Sequence, residues 1–435
     1  MIVTVPPSSL TETTVLVGLE HEGVTRWDLE DSLAELQELA STAGAKVVGT
    51  VTQKLSHPTA PYYIGKGKAE EVAAYCAEQG AGSIIFDDEL SPAQGRNLEM
   101  ITSCKVLDRT QLILDIFARR ARSREGRLQI ELAQLRYLLP RLTRMWTHLS
   151  RQTGGIGTRG PGETQLEVDR RRVLERIARL QRELEEVRKH RTIQREGRAR
   201  HQWPVVAIVG YTNAGKSSLL NRLTQAGVLA EDKLFATLDP TTRQFLLPNK
   251  LRVLFTDTVG FIRKLPHTVI ESFKATLEEL RSADLLVHVV DVSHPQWEEQ
   301  ITATNEVIRE LEADGKHTII VFNKLDRVAN PEAIGAALDH YPGSTAVSVK
   351  TGENLEEFID ELQNQLSAWR LRQHLRIPQA ESATLAELHQ AGHVIEIRYE
   401  GDDALVTVHI PPALEARFSS YAEVPHEEKL SLQED

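Results

Sequence analysis

The residues of this chain best placed to do chemistry are a lysine and a serine set behind two glycines, an Asp-x-x-Gly peptide and an Asn-Lys-x-Asp peptide. The first group is Gly210, Tyr211, Thr212, Asn213, Ala214, Gly215, Lys216 and Ser217. Glycines in that pattern let backbone N–H groups wrap a polyphosphate, while the lysine neutralises the β and γ oxygens and the hydroxyl meets Mg²⁺. Alone, the pattern implies only a nucleoside triphosphate. It is followed by Asp257, Thr258, Val259 and Gly260, then by Asn323, Lys324, Leu325 and Asp326, then by Ser348, Val349 and Lys350. A carboxylate such as Asp326 accepts two hydrogen bonds from the donor edge of guanine, whereas adenine offers an acceptor and no second donor there. Type, order and spacing therefore point to a site for GTP and GDP.

The flanking sequence supplies elements to hold these groups. Residues 204–209 are a continuous apolar run, read as a buried strand, and helical periodicity resumes at Ser217, which puts the glycines in a strand-to-helix turn. Residues 251–257 form a second strand ending on Asp257, placed for the Mg²⁺ shell, with the Gly260 amide facing the γ-phosphate. Residues 285–291 and 318–323 read as further buried strands, the latter delivering Asn323 to the base pocket. Between the first two motifs, residues 235–243 are the natural loop to close a threonine hydroxyl over Mg²⁺. Of three threonines there, Thr237 is the choice, which makes Ser217 and Thr237 the expected metal ligands. Lys216, Asn213, Thr237 and Gly260 are the expected catalytic set.

Phe261 follows the Asp-x-x-Gly glycine, where many GTPases carry a glutamine that orients the attacking water. An apolar side chain cannot polarise water, so intrinsic hydrolysis should be slow and the missing function must come from elsewhere. Asn213 is one source, if it holds a K⁺ ion beside the phosphates; the alternative is an asparagine chosen for a left-handed turn. A large ribonucleoprotein partner that orders residues 235–243 and 261–265 is the other.

At 435 residues the chain suggests about three domains. It has two cysteines, Cys76 and Cys104, without metal-ligand spacing, and no apolar run of the ~20 residues needed to span a membrane. No basic segment followed by an apolar run opens it, so a reduced, cytoplasmic setting is expected. The net charge of −11 is unevenly spread. From Arg119 to Arg200 there are 22 Lys and Arg against 10 Asp and Glu, a balance of +12 beside −23 for the remainder. A phosphate backbone responds to that local charge over a Debye length of about 8 Å.

Residues 1–120 alternate strand and helix signals, the rhythm of a small α/β domain with a parallel sheet. Its Gly65-Lys66-Gly67-Lys68 loop is read as a tight turn with solvated lysines. In residues 121–200, Leu128, Leu132, Leu135, Leu139 and Leu142 recur at steps of 4, 3, 4 and 3, as do Val173, Ile177, Leu180, Leu184 and Val187. Two stripes of that kind zip together, so an antiparallel helical hairpin is expected. Its tip, residues 152–164, carries Gly154, Gly155, Gly157, Gly160 and Gly162 around the single Arg159. Such a loop brings no side chains to bury, yet it can approach another backbone closely, which suits an RNA-lined cavity with Arg159 as the phosphate or base contact. Residues 201–370 form the nucleotide domain with a mostly parallel sheet. Residues 368–378 read as a connector into a small α+β domain, 378–435, with one helix, one hairpin and an acidic tail. The fold class overall is α/β.

The glycine-rich 154–167 peptide, the phosphate loop, Phe235, Ala236, Thr237, Leu238 and Asp239, and the Asp257–Arg263 peptide together resemble the HflX family, in the Obg/HflX group of translation-factor-related P-loop GTPases. The match runs from the Gly65 loop through the nucleotide domain. The resemblance implies a GTPase, stimulated by ribosomal particles, that binds the large ribosomal subunit and its rRNA, inserts the glycine-rich loop near the peptidyl transferase centre and splits stalled or stressed ribosomes. It implies nucleotide contacts at 210–217, 235–239, 257–260, 323–326 and 348–350, Mg²⁺ as cofactor, a location in the cytoplasm partly on ribosomes, and a monomer off them. Weak ATP hydrolysis by the N-terminal domain is reported in some members. The rival readings are a GTP-dependent RNA-modifying enzyme, for which no modifying-site motif is visible, and an RNA-binding scaffold.

Overall fold

The structure is a computed structural model that describes residues 12–23, 25–145, 165–199, 203–224, 234–238, 241–264, 280–328, 331–367, 371–410 and 414–423. The chain divides into two compact units. The first takes residues 1–190 with 229–240 and 259–278, the second residues 191–228, 241–258 and 279–435.

The first unit is built on a parallel four-stranded sheet of β1 (Thr13–Glu20), β2 (Lys46–Lys54), β3 (Ser83–Phe86) and β4 (Lys105–Asp108), in the order β2-β1-β3-β4. β1 and β3 are buried along nearly their whole length, as continuous apolar strands covered on both faces must be. The joining helices are α1 (Arg26–Thr42), α2 (Lys66–Gln79), α3 (Pro92–Thr102) and α4 (Arg109–Arg120). α1 and α3 each open on a capping box, Thr25 with Asp28 and Ser91 with Gln94, which satisfies backbone N–H groups that a helix start leaves unpaired.

At the C-terminal ends of β3 and β4 lies a buried charge cluster. Asp87, 0% exposed, accepts hydrogen bonds from Ser32 at 2.7 Å, from Arg109 at 2.8 Å and from Lys264. Burial alone would raise the Asp87 carboxyl, yet the Arg109 and Lys264 charges beside it hold it below the usual carboxylate range. Lys264 also pairs with Asp88 at 2.7 Å, and Arg263 with Asp31 at 3.2 Å. The segment that carries these cations is thus fixed to α1 and the end of β3.

Two long helices follow, α5 (Arg124–Met145) and α6 (Gln165–Ala199). Leu128, Leu132, Leu135 and Leu139 of α5 share one apolar cluster with Val173, Ile177, Leu180, Leu184 and Val187 of α6. Arg176 grips Glu131 across them through two nitrogens, at 2.7 and 2.8 Å. The stripes meet as their spacing requires. The Gly154–Gly162 loop with Arg159 lies outside the described residues, as do Asp239 and the tail after Glu423.

In the second unit a six-stranded sheet combines β5 (Val205–Gly210), β6 (Thr241–Leu246), β7 (Arg252–Asp257), β8 (Leu285–Asp291), β9 (Thr318–Asn323) and β10 (Thr345–Ala346), in the order β10-β9-β8-β5-β7-β6. Only β6 runs antiparallel to its neighbour. Around it lie α7 (Lys216–Thr224), α8 (Trp297–Glu310), α9 (Pro331–His340) and α10 (Leu355–Ser367). Val206, Ile208, Leu220, Phe255, Val287, Val321 and Phe358 form its apolar core.

A small three-stranded sheet follows, with β11 (Leu371–Pro378), β12 (His393–Glu400) and β13 (Asp403–Ile410) in the order β11-β13-β12, α11 (Ser382–Ala391) between β11 and β12 in the chain, and a short helix, Glu415–Phe418, after β13. The peptide expected to be a connector is therefore a strand. It pairs antiparallel with β13 from Leu371 opposite Ile410 to Pro378 opposite Asp403, and Pro378 is tolerated at the end of an edge strand, where a missing N–H costs little. The hairpin turn carries Gly401 at φ 60°. No described helix is long and apolar enough to cross a membrane.

Candidate nucleotide site

The phosphate loop, Asp257 with Thr258, residues 323–326 and residues 348–350 converge at the C-terminal ends of β5, β7 and β9, where open parallel sheets place their ligands. β5 ends on Gly210 at φ 142°, where a Cβ would stand 2.1 Å from the Val289 carbonyl oxygen. Gly215 has φ 101°, and a Cβ there would stand 2.2 Å from Nδ2 of Asn323. Both glycines are demanded by close packing as well as by backbone angle. Asn213 lies between them at φ 60°, a left-handed conformation in which asparagine is favoured among non-glycine residues.

Lys216 opens α7 and is 6% exposed. Its Nζ donates to the Tyr211 carbonyl at 2.6 Å, which draws the loop closed around the ammonium group. Burial pushes the Lys216 ammonium down to about 8, with the Asp257 carboxylate opposing the shift and Lys324 adding to it. A polyphosphate is the ligand that such a desolvated cation favours. Ser217 donates from Oγ to Oδ2 of Asp257 at 2.6 Å, so one hydroxyl and one carboxylate oxygen meet at the end of β7. Hard oxygen donors of this kind, completed by phosphate oxygens and water, suit Mg²⁺ better than any soft metal. Thr258 anchors the same strand end, its hydroxyl donating to the Ile208 carbonyl at 2.7 Å.

On the other side, Asn323 is 3% exposed and both ends of its amide are engaged. Nδ2 donates to the Ala214 carbonyl at 2.8 Å, and Oδ1 accepts from the Val349 N–H at 3.1 Å. This side chain ties the phosphate loop, β9 and the 348–350 peptide into one rigid piece. Lys324, at φ 67°, pairs with Asp291 at 2.6 Å. Asp326 accepts from the Ser348 hydroxyl at 2.7 Å and stands 4.0 Å from Lys350. The Ser348 hydrogen bond holds the Asp326 carboxyl below the usual range, so it is an ionised acceptor at neutral pH. Leu325 packs against the cluster around Phe322, and Val349 lies in the core of the sheet.

The remaining peptides belong to the first unit. Phe235, at φ 55° and 1% exposed, packs edge-on against Phe117 with ring centroids 4.6 Å apart. Ala236 and Thr237 are half-buried and Leu238 is buried. Val259 and Gly260 lead into Phe261 and Ile262, 3% and 2% exposed, and then to the ion pairs of Arg263 and Lys264. The Phe261 ring is thus core, consistent with its inability to orient water.

Sequence reasoning passed over Asp291, the partner of Lys324, and His288, which is 1% exposed on β8. Burial, with the Lys216 charge, pushes the His288 imidazole down to about 3. A histidine inside a continuous apolar run was the available signal. No group of three or more His, Cys, Asp or Glu among the described residues could hold a metal without further donors.

Three family models match successive stretches, described as GTP-binding GTPase N-terminal over residues 30–118, GTP-binding GTPase Middle Region over 120–198 and 50S ribosome-binding GTPase over 205–324. The chain is 48% identical over 401 residues to GTPase HflX of Lacrimispora saccharolytica, covering 92% of this chain and 94% of that relative. It is 45% identical over 384 residues to GTPase HflX of Escherichia coli K12, covering 88% and 90%. Among solved structures, a GTP-binding protein from Sulfolobus solfataricus in complex with GDP aligns over 81% of this chain and 98% of its own, with 24% identity and a TM-score of 0.45. Identity of this extent along nearly the whole length, over a phosphate loop and guanine-type peptides held as described, makes the chain a GTP-hydrolysing member of the HflX family of GTPases.

Proposed function

We propose that this GTPase works on the ribosome, binding the large subunit in its GTP state and driving stalled or stressed ribosomes apart. The observation that carries the reading is the near-full-length identity to GTPase HflX proteins, joined to a nucleotide domain of the type described as 50S ribosome-binding. In this reading the N–H groups of Gly210 to Ser217 and the Lys216 ammonium cradle the phosphates, and Asp326 selects guanine while Asn323, Ser348, Val349 and Lys350 brace its edge. Ser217, Asp257 and Thr237 are the residues that would hold Mg²⁺, which when bound would supply neutralisation of phosphate charge. The Gly260 N–H meets the γ-phosphate, so segments 235–239 and 259–264 report its presence.

Hydrolysis is the step that Phe261 leaves unassisted. Ordering of residues 235–243 and 261–265 on the large subunit provides the activation, and K⁺, if held by Asn213, would offset charge in the transition state. The left-handed φ of Asn213 accounts for an asparagine by itself, so the cation role stands on its own test. Gly154 to Gly162, with Arg159, form the probe for ribosomal RNA.

Sedimentation of 70S particles with the protein and GTP tests the reading. Dissociation into subunits should require both GTP and residues 154–162. Intact particles with the full-length protein and GTP would overturn it, and dissociation by the loop-deleted variant would remove the role given to the loop.

A further inference from the structure

The chain has two cysteines, 28 positions apart, and the first unit packs both against one apolar cluster. Cys76 lies in the last turn of α2, 1% exposed, within the apolar cluster that includes Val72, Ala81, Ile84 and Leu98. Cys104 occupies the turn between α3 and β4, partly exposed, and packs against the same cluster. Ala81 bridges them. Its N–H donates to the Cys76 carbonyl at 2.9 Å, and its own carbonyl accepts from the Cys104 thiol at 3.5 Å. Beside it, the Lys105 N–H donates to the Gly82 carbonyl at 3.1 Å, which pins the start of β4 to the start of β3. The Cys104 sulfur lies close enough to Cys76 to help burial raise the Cys76 thiol.

We propose that Cys76 and Cys104 form a modification site, a thiol pair that a hydroperoxide closes into a reversible intramolecular disulfide, with Cys104 reacting first and Cys76 resolving. Apolar packing alone explains a buried cysteine, but it gives no reason for the only other thiol of the chain to border the same cluster at a half-open position, tied through Ala81 to the Cys76 carbonyl. The order of reaction follows from access. Cys104 reaches solvent, whereas burial, with the neighbouring sulfur, pushes the Cys76 thiol up to about 12 and keeps it protonated.

In the first step the Cys104 sulfur attacks one peroxide oxygen, the O–O bond breaks, and the thiol proton leaves with the departing water or alcohol, giving a sulfenic acid. In the second, the Cys76 sulfur attacks the Cys104 sulfur, the S–O bond breaks, and the hydroxide takes the Cys76 proton as water. Two thiols lose two electrons and two protons, and the peroxide takes up both. The second step is intramolecular between neighbouring sulfurs, which offsets the poor nucleophilicity of a protonated thiol. The new bond ties the end of α2 to the start of β4 and restrains the unfolded chain between them.

The full-length protein, treated with hydrogen peroxide and then denatured, is read by thiol titration, intact mass and peptide mapping. Two titratable thiols should fall to none, the mass should drop by two hydrogens, and one joined peptide should contain both cysteines. Dithiothreitol should reverse all three. In a Cys104→Ser variant the Cys76 thiol should be consumed at least about tenfold more slowly, because its access is lost with its partner. In Cys76→Ser the Cys104 sulfenic acid should persist and be trapped by dimedone. Wild-type protein that gains oxygen without losing hydrogens, cross-links between copies, or keeps both thiols under peroxide that consumes them in the denatured chain would overturn the proposal.

Discussion

Asp326 and Lys216 carry the sharpest consequences at the scale of single residues. Asp326→Asn replaces a two-fold acceptor with one acceptor and one donor, so it mismatches the guanine edge and matches xanthine, whose carbonyl stands where guanine has its amino group. Charged hydrogen bonds are worth about 1.5–3 kcal/mol each, so GTP affinity should fall at least roughly a hundredfold while xanthosine triphosphate becomes the better ligand. Competition calorimetry with the two nucleotides reads this directly. Lys216 titrates at about 8 in the folded protein against an ordinary 10.5, because burial disfavours its charge. Its folded value is depressed, so between about pH 8 and 10.5 the unfolded chain holds a proton that the folded one has lost, and nucleotide-free stability rises with pH across that window. A bound polyphosphate restores the proton. GTP binding should therefore take up a fraction of a proton near about pH 8.5 and almost none near about pH 6.5, seen as buffer-dependent binding enthalpy. Equal enthalpies in buffers of different ionisation heat at the higher pH would count against a desolvated Lys216.

The elements that were legible in the sequence are those whose pattern is local. The α5 and α6 stripes repeat every three or four residues, and each of their leucines and valines from Leu128 to Leu139 and from Val173 to Val187 lands in the shared cluster. Leu180, 0% exposed, is at the centre, and Leu180→Ala should cost about 3 kcal/mol through lost transfer energy and the cavity left behind. Urea unfolding monitored by circular dichroism would show it as a lower midpoint. β5, β7 and β9 were visible for the same reason, being short apolar runs that end on motif residues, and β8 as an apolar run alone. What could not be read depends on partners far along the chain. β11 looks like a connector until β13 pairs with it, some 30 residues on. Asp87 and Lys264 lie 177 positions apart, and no periodicity links them. The guanine-type peptides could be listed from sequence, but the bracing role of Asn323 could not, since it rests on the Ala214 carbonyl and the Val349 N–H meeting at one amide.

For the molecule as a whole, the buried Phe261 ring leaves the water-orienting role to another group, which on the proposed reading is supplied with the help of the ribosome. Purified large ribosomal subunits should raise GTP hydrolysis by orders of magnitude, and replacing K⁺ by Na⁺ should lower the stimulated rate if Asn213 holds the cation. Phosphate release assays distinguish the two contributions, because equal rates in both salts exclude K⁺ and leave the ribosomal effect intact. The division of the chain has a separate bearing on how it can be cut. Segments 229–240 and 259–278 belong with residues 1–190, while the chain between and around them belongs to the other unit. A fragment ending at residue 190 would keep Phe117 without the Phe235 ring that covers it, and Asp87 without the Lys264 ammonium beside it. Such a fragment presents a bare aromatic surface and an undercompensated carboxylate, so its solubility and binding would report the damage of truncation. Dissecting this protein into halves at its helical middle is therefore not a neutral operation.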